Sequence, residues 1–85
     1  MNIDTSRIEK VLRKLKQKDP ILFKAVQRKI NQIAVLDKTS IEHFKNLRGS
    51  LSGYKRAHAG SFVLMFKVEK DVIIFDSFRH HDDAY

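Results

Sequence analysis

The stretch "GYKRAHAGSFVLMFKVEKDVIIFDSF", residues 53–78, decides the fold of this chain. Apolar and polar residues alternate through much of it with a period of two, which is typical of strands. The alternation predicts three strands, at 53–58, 61–68 and 71–78. Only two residues separate each pair of strands ("AG" and "EK"), so we expect two tight hairpins and an antiparallel meander.

The two faces of this meander differ in character. With a turn at Ala59–Gly60, His58 is expected opposite Ser61, and Arg56 opposite Val63. One face is then nearly all apolar: Ala57, Phe62, Leu64, Phe66 and Val68. The other is half polar and basic: Tyr54, Arg56, His58, Ser61, Val63, Met65 and Lys67. We expect the apolar face to be buried against the rest of the chain and the second face to serve as a binding surface.

The first half of the chain has a helical period. "SRIE" (residues 6–9) matches a capping box and predicts a helix from Ser6. Its apolar stripe is Ile8, Val11, Leu12 and Leu15. Asp19 and Pro20 suit the N-cap and first position of a second helix, which we expect to run to about Leu36. Its stripe is Leu22, Val26, Ile30 and Ile33. So short a connection predicts an antiparallel αα-hairpin.

These elements predict one α+β domain, residues 1–85, in which the αα-hairpin packs on one face of a small antiparallel sheet. The chain has no cysteine, which excludes disulfides and thiol chemistry and leaves apolar packing to hold the core. We find no stretch of about 20 apolar residues and no apolar secretory signal at the N-terminus. We therefore expect no membrane association.

The balance of charge is strongly basic. Seventeen Lys and Arg face ten Asp and Glu, a net charge of +7. Such a surface favours polyanions, whether RNA, DNA or an acidic protein segment. We interpret the helical cations as a solvated face rather than a surface that tracks phosphates: Lys10, Arg13, Lys14, Lys16, Lys18, Lys24, Arg28 and Lys29.

The C-terminal residues "RHHDDAY", 79–85, arrive at the second face where the third strand ends. Cleavage of an RNA linkage needs a base, an acid and cations that neutralise the phosphate. Histidine can serve as base or acid, arginine grips phosphate and tyrosine can stack or donate a proton. The second face and this tail together supply such groups: Arg56, His58, Lys67, Arg79, His80, His81 and Tyr85. RNA carries its own nucleophile, so no metal is needed.

Other interpretations of these residues are open. His58 and His43 suit ordinary surface positions, and His80 and His81 suit a frayed end. Adjacent His-His and Asp-Asp pairs could ligate a metal, but neighbouring residues seldom converge on one ion. We expect no metal site and no small-molecule cofactor.

The segments "LRGSLSGYKRAHAGSFVLMF" (47–66) and "IIFDSFRHHDDAY" (73–85) resemble the RelE/ParE superfamily of toxin–antitoxin toxins, especially its RelE and YoeB-like branch. The positions that carry the resemblance are Leu47, Gly49, Tyr54, Arg56, His58, Gly60, Phe62, Phe66, His80 or His81, and Tyr85. With the two preceding helices, the resemblance covers almost the whole chain.

The resemblance implies a cytoplasmic toxin of a type II system that inhibits translation by cleaving mRNA in the ribosomal A site without a metal. Its partners would be mRNA, ribosomal RNA and an acidic, RelB-like antitoxin. Arg56 and Arg79 would stabilise the phosphate, and His58 and His81 would be acid and base candidates. Tyr85 would pack on the RNA or protonate it. Further RNA contacts would come from Tyr54, Lys55, Lys67 and His80.

The chain departs from the family pattern in several places. Val63 stands where the family usually has an arginine. The family's opening strand is reduced to "MNID" at most, which leaves open whether the sheet has a short N-terminal edge strand. Two other functions stay open: a RelE-fold relative with weak or no nuclease activity that keeps antitoxin binding, and a ParE-like inhibitor of DNA gyrase. The histidines favour the nuclease.

Overall fold

The N-terminal half folds into the expected helical hairpin behind a short strand. The structure, a computed structural model, describes residues 2–41 and 53–80. Its elements are β1 (Asn2–Asp4), α1 (Glu9–Lys18), α2 (Pro20–Ala34), α3 (Lys38–Ile41), β2 (Lys55–Ala59), β3 (Phe62–Glu69) and β4 (Val72–His80). The predictions for His43, Leu47, Gly49, His81 and Tyr85 concern residues outside the described ranges.

The sheet has four strands in the order β1-β4-β3-β2. β2, β3 and β4 form the predicted antiparallel meander, and β1 pairs with β4 in parallel. The α+β class is therefore confirmed, and the N-terminal residues do form an edge strand. In the described part of the chain, no helix is long and apolar enough to cross a membrane.

The predicted start of the first helix is wrong by three residues. α1 begins at Glu9, with Ile8 as an N-cap that makes no side-chain capping bond. Ser6 is used elsewhere: its backbone N–H and its hydroxyl both donate to Asp4 Oδ1, at 2.9 and 2.6 Å. This local turn at the end of β1 competes with the helix for the serine.

The start of α2 is confirmed, and its end comes earlier than predicted. The Leu22 N–H donates to Asp19 Oδ1 at 3.1 Å, and Pro20 occupies the first helical position. The helix ends at Ala34 rather than near Leu36. The sequence analysis missed α3, whose start is capped by Asp37: Oδ1 accepts from the backbone N–H of Ser40 at 2.7 Å.

The core lies between the helices and one face of the sheet, which we call the first face. Its members on the helical side are Ile8, the N-cap of α1, and the helix residues Val26, Ile30, Ile33 and Ile41. Its strand members are Ala57, Ala59, Leu64, Phe66, Ile73, Phe75 and Phe78. Phe62 and Phe78 stack with ring centroids 4.7 Å apart. The predicted stripes are confirmed except for Val11, which is 43% exposed.

Both hairpin turns lie one residue later than predicted. Ala59 pairs with Phe62 and Glu69 with Val72, so the turns are Gly60–Ser61 and Lys70–Asp71. Gly60 has a φ of 61°, in the left-handed region that glycine adopts without steric cost. The φ of Ser61, the second turn residue, is not positive, so this hairpin has the type II′ pattern.

The shifted turns change the register but not the faces. His58 lies opposite Val63 rather than Ser61, and Arg56 lies opposite Met65. The error is two residues in the pairing, and side chains repeat every two residues along a strand. The composition predicted for each face therefore holds, although the cross-strand neighbours predicted for His58 and Arg56 were wrong.

Candidate functional site

The face of the sheet opposite the core, which we call the second face, carries a row of three residues across its strands. His58 on β2 and Arg79 on β4 both pair with Val63 on β3. His58 and Arg79 are exposed, whereas Val63 is 1% exposed. With adjacent strands ~4.8 Å apart, the backbones of the two outer residues are about 10 Å apart. We call these three residues the cross-strand row.

A second cation adjoins this row. Arg56 lies two residues before His58 on β2 and therefore on the same face. It pairs with Met65, which in turn pairs with Ser77 on β4. Three of the five predicted catalytic residues, Arg56, His58 and Arg79, thus share one region around the buried side chains of Val63 and Met65.

The structure corrects the predicted C-terminal tail. Arg79 and His80 belong to β4, which was expected to end at residue 78. The strand continues because β3 begins at Phe62, and Phe62 and Val63 pair with His80 and Arg79. Arg79 is consequently held on a strand rather than on a free end.

Two predicted RNA contacts lie on the first face instead. His80 pairs with Phe62, and their rings meet edge to face with centroids 5.2 Å apart. Lys55 pairs with Phe66, a core residue. Alternation along each strand therefore separates Lys55 from Arg56 and His80 from Arg79. The other two predicted contacts, Tyr54 and Lys67, lie close together: the Lys67 ammonium is 5.4 Å from the centroid of the Tyr54 ring.

The Tyr54 and Lys67 region also contains ion pairs. Lys67 Nζ lies 2.9 Å from Glu69 Oε1, and this hydrogen bond raises the pKa of Lys67 and lowers that of Glu69. Arg7 Nη1 donates to Asp76 Oδ1 at 2.8 Å. The Asp76 carboxylate, and after it the Tyr54 hydroxyl, raises the pKa of Arg7.

Sequence reasoning missed Arg7 and Asp76. They are 69 positions apart, and no local pattern connects them. Asp76 lies at an irregularity in the ladder, where Met65 pairs with Ser77 but Phe66 pairs with Phe75. Asp76 is therefore an extra residue in β4, and it breaks the alternation of side chains between the two faces of the sheet. The turn between Asp4 and Ser6 then directs Arg7 toward it from the N-terminal side.

The arrangement suits an anion better than a metal. Two guanidinium groups and an imidazole surround an apolar centre, and guanidinium groups bind phosphate through paired hydrogen bonds. Within residues 2–41 and 53–80, no three His, Asp or Glu side chains come together as a metal-binding group. Strands β2, β3 and β4 carry two acidic residues, Glu69 and Asp76, and both lie on the Lys67 side of Met65.

An αα-hairpin on one face of a small sheet, with cations across the other face, defines a class of small basic α+β domains. Comparison with known proteins narrows this class. The chain is 38% identical over 81 residues to a protein of Methanocaldococcus jannaschii named "Putative toxin RelE4", covering 92% of this chain and 82% of that protein. No protein-family model matches the chain.

Solved structures show the same fold. The chain superposes on a structure of the YoeB–YefM complex from Staphylococcus aureus with a TM-score of 0.73 and 19% identity, over 95% of this chain and 97% of that one. It superposes on YafQ from E. coli BL21(DE3) with a TM-score of 0.62 and 20% identity, over 99% and 97%. The chain belongs to the RelE family and is a toxin of a toxin–antitoxin system.

Proposed function

We propose that this toxin is a metal-independent endoribonuclease that cleaves mRNA in the ribosomal A site and so inhibits translation. The observation that carries the proposal is the cross-strand row, together with Arg56 beside it. These residues form a cationic, titratable patch on strands, and a strand holds a side chain more precisely than a chain end does.

The chemistry follows from the groups in this patch. The 2′-oxygen of RNA attacks the adjacent phosphorus, the bond from phosphorus to the 5′-oxygen breaks, and a 2′,3′-cyclic phosphate forms. A base accepts the proton of the 2′-hydroxyl, and an acid gives a proton to the departing 5′-oxygen. Charge builds up on the phosphate oxygens in between. We assign the stabilisation of this charge to Arg56 and Arg79.

The remaining roles need proton carriers. His58 is an acid or base candidate because histidine is a residue type that serves as general acid or base and because His58 lies at one end of the row. His81 and Tyr85, outside the described ranges, keep their proposed roles as a second acid or base and as a group that packs on the RNA or protonates it. Tyr54 and Lys67 are proposed RNA contacts farther along the same face.

The site keeps a cation next to Val63 even though Val63 replaces the family's usual arginine. The family's usual arginine would stand in the middle of the row, but Arg79 is paired directly with Val63 from the neighbouring strand. A guanidinium can therefore reach the same region of the face from β4. The buried valine also keeps water from the floor of the patch, and charge interactions are stronger where water is excluded.

The partners we propose follow from the charge and from the family. An acidic antitoxin would neutralise the toxin, in line with the net charge of +7 and with the YoeB neighbour, whose structure is a complex with YefM. mRNA and ribosomal RNA would be the polyanionic targets, and the protein would act in the cytoplasm.

The test is expression of the toxin without its antitoxin. We expect translation to stop and primer extension to find cuts inside translated messages. Arg56→Ala should remove most of the toxicity while the protein remains folded by circular dichroism. Lys55→Ala is the matched control: it removes the neighbouring cation from the other face and should leave the cuts in place.

A second function is favoured by one observation, the apolar side chain of Val63 in the centre of the row. A binding module that retains only the antitoxin interaction would tolerate this residue. Harmless expression with intact messages would establish that function instead. Growth arrest with uncut messages and double-strand DNA breaks would replace the nuclease with gyrase inhibition.

A further inference from the structure

A second cationic surface lies outside the patch described above. It is a cleft of about 290 Å³ between α2 and the turn that joins β2 to β3. Its lining residues are Ala25, Arg28, Lys29, Gln32, His58, Ala59 and Gly60. The function proposed above uses only His58 from this set.

Helical spacing explains the wall formed by α2. Arg28 and Lys29 are three and four residues after Ala25, and Gln32 is four and three residues after them, so the four side chains lie along one side of the helix. The opposite wall is the hairpin turn. A Cβ on Gly60 would lie 3.6 Å from Leu22 Cδ1, which shows how closely the turn approaches α2. Glycine and alanine on this side leave room for a ligand.

The charge of the cleft has one sign. Among residues 2–41 and 53–80, no carboxylate lines it, and neither Arg28 nor Lys29 takes part in an ion pair. A guanidinium, an ammonium and the Gln32 amide offer hydrogen-bond donors to phosphate oxygens. Such a set suits one phosphodiester group better than a neutral ligand.

His58 connects this cleft to the cross-strand row, because it is a member of both. β2 is the edge strand of the sheet beside α2, so a nucleic acid strand that crosses the row and passes over this edge enters the cleft. We propose that the cleft binds a backbone phosphate of the same RNA strand, on the His58 side of the cleaved linkage. This inference rests on the proposed function, since it takes RNA as the substrate.

An acidic segment of the antitoxin is a different occupant that the same charges could attract. The observations favour RNA because the cleft is continuous with the catalytic patch through His58 and has the size of a small anionic group rather than of a folded segment. The experiment distinguishes the two occupants.

The test uses the full-length protein and a fluorescent single-stranded RNA oligonucleotide whose 2′-O-methyl groups prevent cleavage. The affinity is measured by anisotropy over a range of salt concentrations. Each phosphate contact to a single strand contributes about 0.7 to the slope of log K against log salt. We expect Arg28→Ala/Lys29→Ala to lower the slope by about 0.7 and to weaken binding equally for unrelated RNA sequences.

The chain offers a matched control in Arg13 and Lys14, which form the same dipeptide on α1, are exposed and do not line the cleft. Arg13→Ala/Lys14→Ala removes the same charge and should keep the original slope. The exchange Arg28→Lys/Lys29→Arg keeps the charge of the cleft and should also keep the slope. Thermal melting of each variant confirms that it is folded.

Equal slopes for the cleft variant and the α1 variant would overturn the proposal. So would unchanged RNA binding together with weaker binding of an acidic antitoxin peptide, because the occupant would then be protein. A failure of the proposed nuclease looks different: the unaltered protein would leave ribosome-bound messages whole while the two double variants still differed in slope.

Discussion

Both ends of the second face carry cationic side chains, but only one end also carries carboxylates on its strands. At one end, Lys67 and Arg7 lie against carboxylates and next to the Tyr54 ring. At the other end, the strands carry Arg56, His58 and Arg79 and no acidic residue. The carboxylates of the first end repel a bound phosphate, so a phosphate gains less there. The comparison teaches that net charge alone does not locate an anion site; the position of the acidic residues does.

The largest expected effect is a difference in kcat between substitutions at the two ends of the second face. Arg79→Ala should lower kcat for cleavage of ribosome-bound mRNA by about 100-fold, because one donor to the developing charge is lost. Lys67→Ala, at the ion-paired end, should lower it by less than about tenfold. Single-turnover cleavage assays measure both. Equal losses at the two ends would remove the distinction between them.

The next effect concerns Val63, the buried apolar residue at the centre of the cross-strand row. Val63 is 1% exposed, and Val63→Ala should lower the free energy of unfolding by about 1–2 kcal/mol because it removes two buried carbons and leaves a space. Since no charge changes, kcat should stay within about twofold. Urea unfolding and the cleavage assay give the two values.

Val72→Ala is the control for this change, since it removes the same atoms from a half-buried position on the same sheet. It should destabilise the fold less. A loss of kcat in Val63→Ala as large as that in Arg79→Ala would mean that the valine itself contacts the RNA.

A smaller effect tests whether carboxylates restrain the cations of the ion-paired end. Asp76→Asn removes the partner of Arg7. The released guanidinium should bind phosphate, and the salt slope for RNA binding should become steeper by about 0.7. Asp71→Asn removes the same charge from the β3–β4 turn and serves as the control. An unchanged slope in Asp76→Asn would show that Arg7 does not face the ligand.

The smallest effect tests the turn that carries Arg7 to the sheet. Hydrogen bonds from the Ser6 hydroxyl and backbone N–H lower the pKa of Asp4 below its usual value of 3.8. A carboxyl whose pKa is depressed by folding contributes stability above its unfolded pKa, and this contribution is lost as the pH falls through the folded value. In Ser6→Ala, NMR titration should find the pKa of Asp4 moved up toward the usual value.

The same variant should be less stable than the unaltered protein above the unfolded pKa of a carboxyl, about 4, and this difference should disappear as the pH falls through the folded pKa of Asp4. At pH 7 it should also let Arg7 move away from Asp76. An unaltered Asp4 titration would mean that the backbone N–H alone holds the carboxylate.

Much of the fold could be predicted because it depends on local patterns. The cap at Asp19 and the stripe of Val26, Ile30 and Ile33 follow from helical geometry alone. The faces of β2 and β3 follow from the period of two, which tolerates the two-residue error in register. The capping box at Ser6 failed because a competing local bond, to Asp4, was equally available to the serine.

The candidate site was predictable only in part. Arg56 and His58 were assigned to the correct face because both lie on one strand. Arg79 and His80 were expected in a tail, and nothing in the sequence showed that one would join the row and the other would contact Phe62. That division depends on how far β4 remains paired with β3.

By itself, the sequence determined the elements, the apolar face of each and the excess of positive charge, since these depend on spacings of two to four residues. Only the tertiary structure decided which residues lie next to each cation: Val63 beside Arg79, Asp76 beside Arg7, and His58 across the cleft from Arg28. Each of these neighbours comes from a different element, and their approach depends on register, a ladder irregularity and helix packing. Register, the ladder irregularity and helix packing depend on how the whole core packs, so no short stretch of sequence is enough to predict them.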